Sequence, residues 1–169
     1  MRFLLSEPTT SFTPRVISSK LKGIRGLGGT EGIVKILGIL EEVGMVDFID
    51  NRRSVRLREE NAGVQRMKIF GSVCDMEGLV ELLRPIARRI VLYGARAEGN
   101  AHTDSSFELF VVSEQADSVK QIVAGFPIGR TIETRVLGAH EYEEMPRKEP
   151  GFTQMVSRGV LLWDSGWAH

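Results

Sequence analysis

Two short segments, each beside an apolar run, carry the residues of this chain best suited to chemistry. Gly94 and Ala95 follow the first apolar run, and Ser106 and Glu108 open the second, ten residues further on. In an extended strand Ser106 and Glu108 point to the same face. A glycine turn lets a phosphate approach the backbone closely, and carboxylates hold hard cations such as Mg²⁺. The two segments therefore predict a site for phosphate and a divalent cation.

This pattern resembles the nucleotidyltransferase superfamily, especially its small "minimal" members, whose signature is Gly-Ser, ten residues and Asp-x-Asp. The further matches to that signature are Arg96, Ala97, Gly99, Ala101, Asp104, Ser105, Leu109 and Val111. The resemblance implies that ATP or another nucleoside triphosphate lies on Gly94, Ala95 and Arg96.

The departures from the signature fall on its functional positions. Ala95 stands where the family has Ser, Ser106 stands at the first carboxylate and Glu108 at the second. The family's third carboxylate comes from the next strand, where Glu133 matches. The resemblance therefore implies a catalytic and metal site reduced to Glu108 and Glu133. We expect weak Mg²⁺ binding and lost or feeble two-metal catalysis.

Composition sets limits on the other functions. The chain has 169 residues with 22 Lys plus Arg and 22 Asp plus Glu, so any basic surface for nucleic acid must be local. Its single cysteine, Cys74, excludes an internal disulfide. There is no apolar run of membrane-spanning length and no signal-peptide pattern at the start. We therefore expect no membrane association and a cytoplasmic location.

The sequence pattern of residues 1–60 predicts a winged helix-turn-helix. Thr13 and Pro14 predict the start of a short helix, and a longer helix is predicted to stop at Gly44. A polar turn between two short apolar runs, Val46–Ile49 and Val55–Leu57, predicts a hairpin. The apolar stripe of the longer helix comprises Ile33, Ile36, Leu37 and Leu40.

This first unit is predicted to contact DNA. Its candidate phosphate-binding residues are Lys35, Arg52, Arg53 and Arg56. The start of the longer helix has no Arg, Asn or Gln to read base edges, so base-specific recognition is not expected. The alternative is that the unit serves for packing or dimerisation. A homodimer is the default expectation because DNA-binding winged helices commonly act as two-fold dimers.

The second unit is predicted to have an α/β (α+β) fold, the nucleotidyltransferase fold, with a mixed sheet flanked by helices. Residues 61–75 are predicted as a linking helix and 76–169 as the nucleotidyltransferase-like domain. The helical stripes that should cover the sheet are Leu79, Leu82, Leu83 and Ile86, and Val119, Ile122, Val123 and Phe126.

Three functions follow as hypotheses. The favoured one is a DNA-binding transcriptional regulator whose second domain is a degenerate nucleotidyltransferase that binds a nucleotide or a partner. The second is an active Mg²⁺-dependent nucleotidyltransferase that passes a nucleoside monophosphate to an unknown acceptor. The third is an antitoxin-like interaction protein that pairs with a small helical protein.

Overall fold

Residues 4–5, 10–21 and 29–166 are described by the structure, a computed structural model of the chain. The chain divides into two units, 1–68 and 69–169. Each is described by itself.

Among the described residues, the first unit contains two helices, a hairpin and the first turns of the long helix that follows. The helices are α1 (Pro14–Lys20) and α2 (Gly29–Glu42), and the strands are β1 (Val46–Ile49) and β2 (Ser54–Leu57). β1 and β2 pair antiparallel, with Val46 opposite Leu57. Thr13 caps α1 by accepting a hydrogen bond from the Val16 amide, and Gly44, at φ +70°, follows α2. The predicted helix start, helix stop and hairpin are confirmed.

The core of the first unit lies between α1, α2 and the hairpin. Its buried side chains include Ile17, Ile33, Leu37, Val46, Val55, Leu57 and Val64. Phe12 forms an isolated antiparallel bridge to Val55, which ties the segment before α1 to the hairpin. One residue of the predicted apolar stripe lies outside this core, because Ile36 is 40% exposed. Ile36 lies on a different face of α2 from Ile33 and Leu37.

A single helix, α3 (Ala62–Leu83), occupies 22 residues where the sequence suggested a linking helix followed by a separate one. Asn61 caps it, since its side-chain oxygen accepts hydrogen bonds from the amides of Gly63 and Val64. The helix continues through Gly71 and Gly78, so these glycines do not end it as helix-breaking residues can. The division between the units falls inside this helix.

The second unit contains a four-stranded mixed sheet in the order β5-β4-β3-β6. Its strands are β3 (Arg89–Tyr93), β4 (Phe107–Val112), β5 (Ile132–Leu137) and β6 (Val160–Asp164). β3 runs antiparallel to both of its neighbours, whereas β4 and β5 are parallel. The helices are α4 (Ala95–Glu98), α5 (Ala116–Gly125), α6 (Ala139–Lys148) and α7 (Pro150–Ser157). The predicted mixed sheet with flanking helices is confirmed.

Alternating side chains of the strands fill two separate cores. Ile90, Leu92, Phe107, Leu109 and Val111 pack with α3 and α5 on one face. Val91, Tyr93, Phe110 and Val112 pack with Met145 of α6 and Val156 of α7 on the other. The predicted stripe on the last part of α3 is wrong at one residue, since Leu82 is 54% exposed.

Helix α6 was not predicted from the sequence. It is strongly polar and contains Pro146, so its composition is unlike that of a helix that covers a sheet. Its first turn is set by a local contact, in which the Glu141 carboxylate accepts a hydrogen bond from the Gly138 amide. Only Met145 of this helix is buried. One buried residue in ten gives too little apolar periodicity to indicate a helix.

Within the described ranges, no helix is long and apolar enough to cross a membrane.

Candidate functional site

Strands β3, β4 and β5 bring the two predicted carboxylates together at one end of the sheet. Glu108 of β4 lies directly opposite Glu133 of β5 in a parallel pair. On its other side Glu108 faces Tyr93, the last residue of β3. Directly paired residues of neighbouring strands project to the same face. The predicted pairing of Glu108 with Glu133 therefore corresponds to a real juxtaposition.

Ser106 completes this group from just before β4. Its hydroxyl donates a hydrogen bond of 2.9 Å to Glu133 Oε1. The family signature has a carboxylate at this position, and here a neutral donor binds a neighbouring carboxylate instead. Ser106 thereby contributes a hydrogen-bond donor to the site rather than a further negative charge.

The Glu108 carboxylate lies against the backbone of Gly94. A Cβ atom built on Gly94 would be 1.7 Å from Glu108 Oε2. Gly94 also has φ +69° and ψ −157°, a backbone conformation that is essentially restricted to glycine. Two independent constraints therefore require glycine where β3 ends and α4 begins.

Arg96 is a buried support for the loop that precedes β4. Only 7% of the residue is exposed. Its guanidinium donates hydrogen bonds to the backbone oxygens of Ser105 and Ser106 and lies 4.0 Å from the centre of the Phe107 ring. Burial, with a smaller contribution from Arg130, lowers its pKa. The predicted nucleotide contact of Arg96 thus falls on a side chain that holds Ser106 in place.

Tyr93 and Arg135 belong to the same face and were not identified from the sequence. Burial raises the pKa of the Tyr93 hydroxyl, and the carboxylates of Glu108 and Glu133 raise it further while Arg135 opposes them. Arg135 forms an ion pair with Glu149 and lies over the Phe152 ring. The sequence did contain a signal for Arg135. It lies two residues after Glu133 on one strand, so the two side chains project to the same face of the sheet.

The oxygen ligands at this site suit one divalent cation better than two. They are two Glu carboxylates and one hydroxyl, and Mg²⁺ is commonly held by one or two carboxylates together with substrate phosphates. A two-metal centre has to clamp both the attacking and the leaving oxygen, which calls for more anionic ligands. Among the described residues no three His, Cys, Asp or Glu side chains are grouped to hold a metal ion by themselves. Glu108, Glu133 and Ser106 could therefore supply part of the oxygen ligands of one divalent cation, but not a complete set by themselves.

The other predicted site residues lie elsewhere. Ala95 begins the four-residue helix α4 directly after Gly94. The candidate DNA-binding residues belong to the first unit, with Lys35 on α2 and the three arginines on the hairpin. Arg52 is bound to both oxygens of Glu41 and lies over the Phe48 ring. Arg53 and Arg56 are exposed and have no ion pair among the described residues.

Comparison with known proteins gives a limited result. No protein-family model matches the chain, and no curated protein is significantly similar to it. A solved structure from Sulfolobus solfataricus, described as a "putative nucleotidyltransferase", is similar at 15% identity and a TM-score of 0.43. The match covers 63% of this chain and 92% of that one. A likeness this weak does not assign the chain to a family.

Replacing Gly94 with Ala tests the contact with Glu108. Gly94→Ala should lower the free energy of unfolding by about 2–4 kcal/mol, because the backbone is strained and the new methyl displaces the carboxylate. In a Glu108→Ala background the loss should be smaller, since only the backbone strain remains. Chemical unfolding of the four proteins in this double-mutant cycle measures the difference.

Gly125→Ala is the matched control, because a Cβ there meets no atom within 4 Å. It should change stability by less than about 1 kcal/mol. Equal losses from Gly94→Ala in both backgrounds would show that Glu108 does not constrain Gly94.

Proposed function

We propose that the unit of residues 69–169 binds a nucleoside triphosphate with Mg²⁺ and does not transfer nucleotide from it. The observation that carries this proposal is the group at the end of the sheet. The Glu108 carboxylate lies on Gly94, Glu133 lies beside it in register, and Ser106 is hydrogen-bonded to Glu133.

Three features favour a polyphosphate ligand. The turn at Gly94 has no side chain of its own, so a phosphate can approach its backbone closely once the Glu108 carboxylate moves aside. Glu108 and Glu133 can share one Mg²⁺ with the phosphates. Gly94, Ser106 and Glu108 have the sequence spacing of the minimal nucleotidyltransferase signature.

The same residues argue against transfer. Ser106 supplies a neutral hydroxyl where the signature has a carboxylate, and that hydroxyl is already engaged by Glu133. Without a further anionic ligand, a second cation has too few partners to stabilise the leaving oxygen. The Glu108 carboxylate also occupies space directly over Gly94, so it has to move or bind through a cation when a phosphate arrives.

Calorimetric titration with ATP and with GTP, each in Mg²⁺ and in EDTA, tests binding. We expect binding in Mg²⁺ that weakens at least tenfold in EDTA, because the carboxylates repel the phosphates unless a cation lies between them. Glu108→Ala should abolish the dependence on Mg²⁺. Glu143→Ala removes an exposed carboxylate elsewhere in the same unit and should leave binding unchanged.

Absence of binding in every condition would contradict the nucleotide proposal. That result would favour the interaction hypothesis instead. In that hypothesis the second unit binds a helical protein partner.

A second proposal concerns the first unit, whose order of helices and hairpin is that of a winged helix. We propose that its hairpin contacts nucleic-acid phosphates through Arg53 and Arg56. Both are exposed on the hairpin, where β2 buries Val55 and Leu57 and leaves Arg56 outward. Arg52 is less available, because Glu41 offsets its charge. Phosphate contacts from such arginines carry no sequence information by themselves.

The salt dependence of duplex DNA binding measures these contacts. Replacing Arg53 and Arg56 together with Ala should weaken binding and reduce the slope of log K against log salt by about 2, since each lost phosphate contact removes about 0.9. Arg147→Ala with Arg158→Ala removes the same charge from exposed positions in the second unit. An equal change of slope in that control pair would contradict a hairpin contact.

A further inference from the structure

An exposed apolar surface runs along one side of α2. Ile36, Ile39 and Val43 are 40%, 61% and 57% exposed. Val43 follows the helix but continues its spiral, because its amide donates to the Ile39 carbonyl. The buried face of the same helix holds Ile33 and Leu37. Helix α2 is therefore apolar on two sides, and only one of them faces the core of its own unit.

The exposed residues have the spacing of a helix-pairing seam. Their separations of three and four residues are those of alternating a and d positions in a heptad. Gly32 lies four residues before Ile36 and continues the same pattern. At about 100° per residue, Gly32, Ile36, Ile39 and Val43 fall within an arc of about 60°. We call these four residues the α2 seam. The exposed Val34 lies on the opposite side of the helix from it.

Two opposite charges border the α2 seam on its outer edge. Lys35 and Glu42 both occupy the g position, and both are exposed without an ion pair among the described residues. The other edge of the seam turns into the core. If two copies of α2 pair antiparallel with Ile36 of one copy opposite Ile39 of the other, Lys35 of each copy lies opposite Glu42 of the other. A parallel pairing would place Lys35 opposite Leu40 and would leave both charges without partners.

We propose that the α2 seam is the interface with a second copy of this chain, paired antiparallel about a two-fold axis. The surface is self-complementary in both apolar layers and charges, as a two-fold interface requires. Gly32 opposite Val43 sets a small residue against a larger one, so the two backbones can approach there. This assignment rests on neither nucleotide binding nor DNA contact. It also buries the helix that would otherwise enter the major groove, which is in line with the lack of base-reading side chains at its start.

Sedimentation of the full chain over a range of concentrations tests the interface, with a reducing agent present because Cys74 is exposed. The wild type should dimerise. Ile39→Glu should raise the dimer dissociation constant at least tenfold, because it places a charge in the apolar layer. Val34→Glu makes the same change to an exposed residue on the opposite side of α2 and should have little effect. Circular dichroism of each variant checks that the fold is intact.

Charge reversal distinguishes antiparallel pairing of two α2 helices from non-specific association of apolar surfaces. Lys35→Glu and Glu42→Lys should each weaken the dimer several-fold, because each sets like charges opposite one another. The double variant should return to within about threefold of the wild type. A monomeric wild type, an unaffected Ile39→Glu dimer, equal losses from Ile39→Glu and Val34→Glu, or no restoration in the double variant would each overturn the proposal.

Discussion

The Glu108 carboxylate lies against the bare backbone of Gly94, so β3 and β4 are joined at this end by a side-chain contact as well as by their hydrogen bonds. The other residues of the candidate site lie beside that contact. Glu133 takes its place from the parallel pairing of β5 with β4, and Ser106, whose backbone is held by Arg96, donates a hydrogen bond to Glu133. A side chain on residue 94 would move Glu108 and with it the spacing of the two carboxylates.

The loop that delivers Ser106 depends on a buried cation. Arg96 donates hydrogen bonds to the backbone oxygens of Ser105 and Ser106 from inside the unit, and its removal would leave these partly buried acceptors without that donor. The loop is also closed on itself, because the His102 amide donates to the Ser105 hydroxyl. Arg96 thus acts on the site through Ser106, which explains how a charged side chain of the motif can be buried away from any ligand.

The sequence was most informative where one local rule decides the structure. Thr13 with Pro14 marked the start of α1, and Gly44 marked the end of α2. The pair Glu108 and Glu133 was predicted from the resemblance to the nucleotidyltransferase signature, and the two residues do lie in register on neighbouring strands. The sequence was least informative where tertiary packing decides. Ile36 and Leu82 fit their helical stripes but are exposed, because periodicity gives a helix face without saying how much of that face is covered. The role of Arg96 could not be predicted from its position, since a match to a sequence motif does not reveal whether the side chain points to a ligand or to the neighbouring loop.

Transfer is the step that distinguishes a binding domain from an enzyme, and it can be measured directly. The full chain is incubated with Mg²⁺ and ATP labelled at the α-phosphate, and both released pyrophosphate and label attached to protein or to added acceptors are followed. Our expectation is that the nucleotide is recovered unchanged, with no pyrophosphate released above the protein-free background. Pyrophosphate release that continues over many turnovers and is lost in Glu108→Ala would contradict it, and would show that two glutamates and a serine suffice for catalysis.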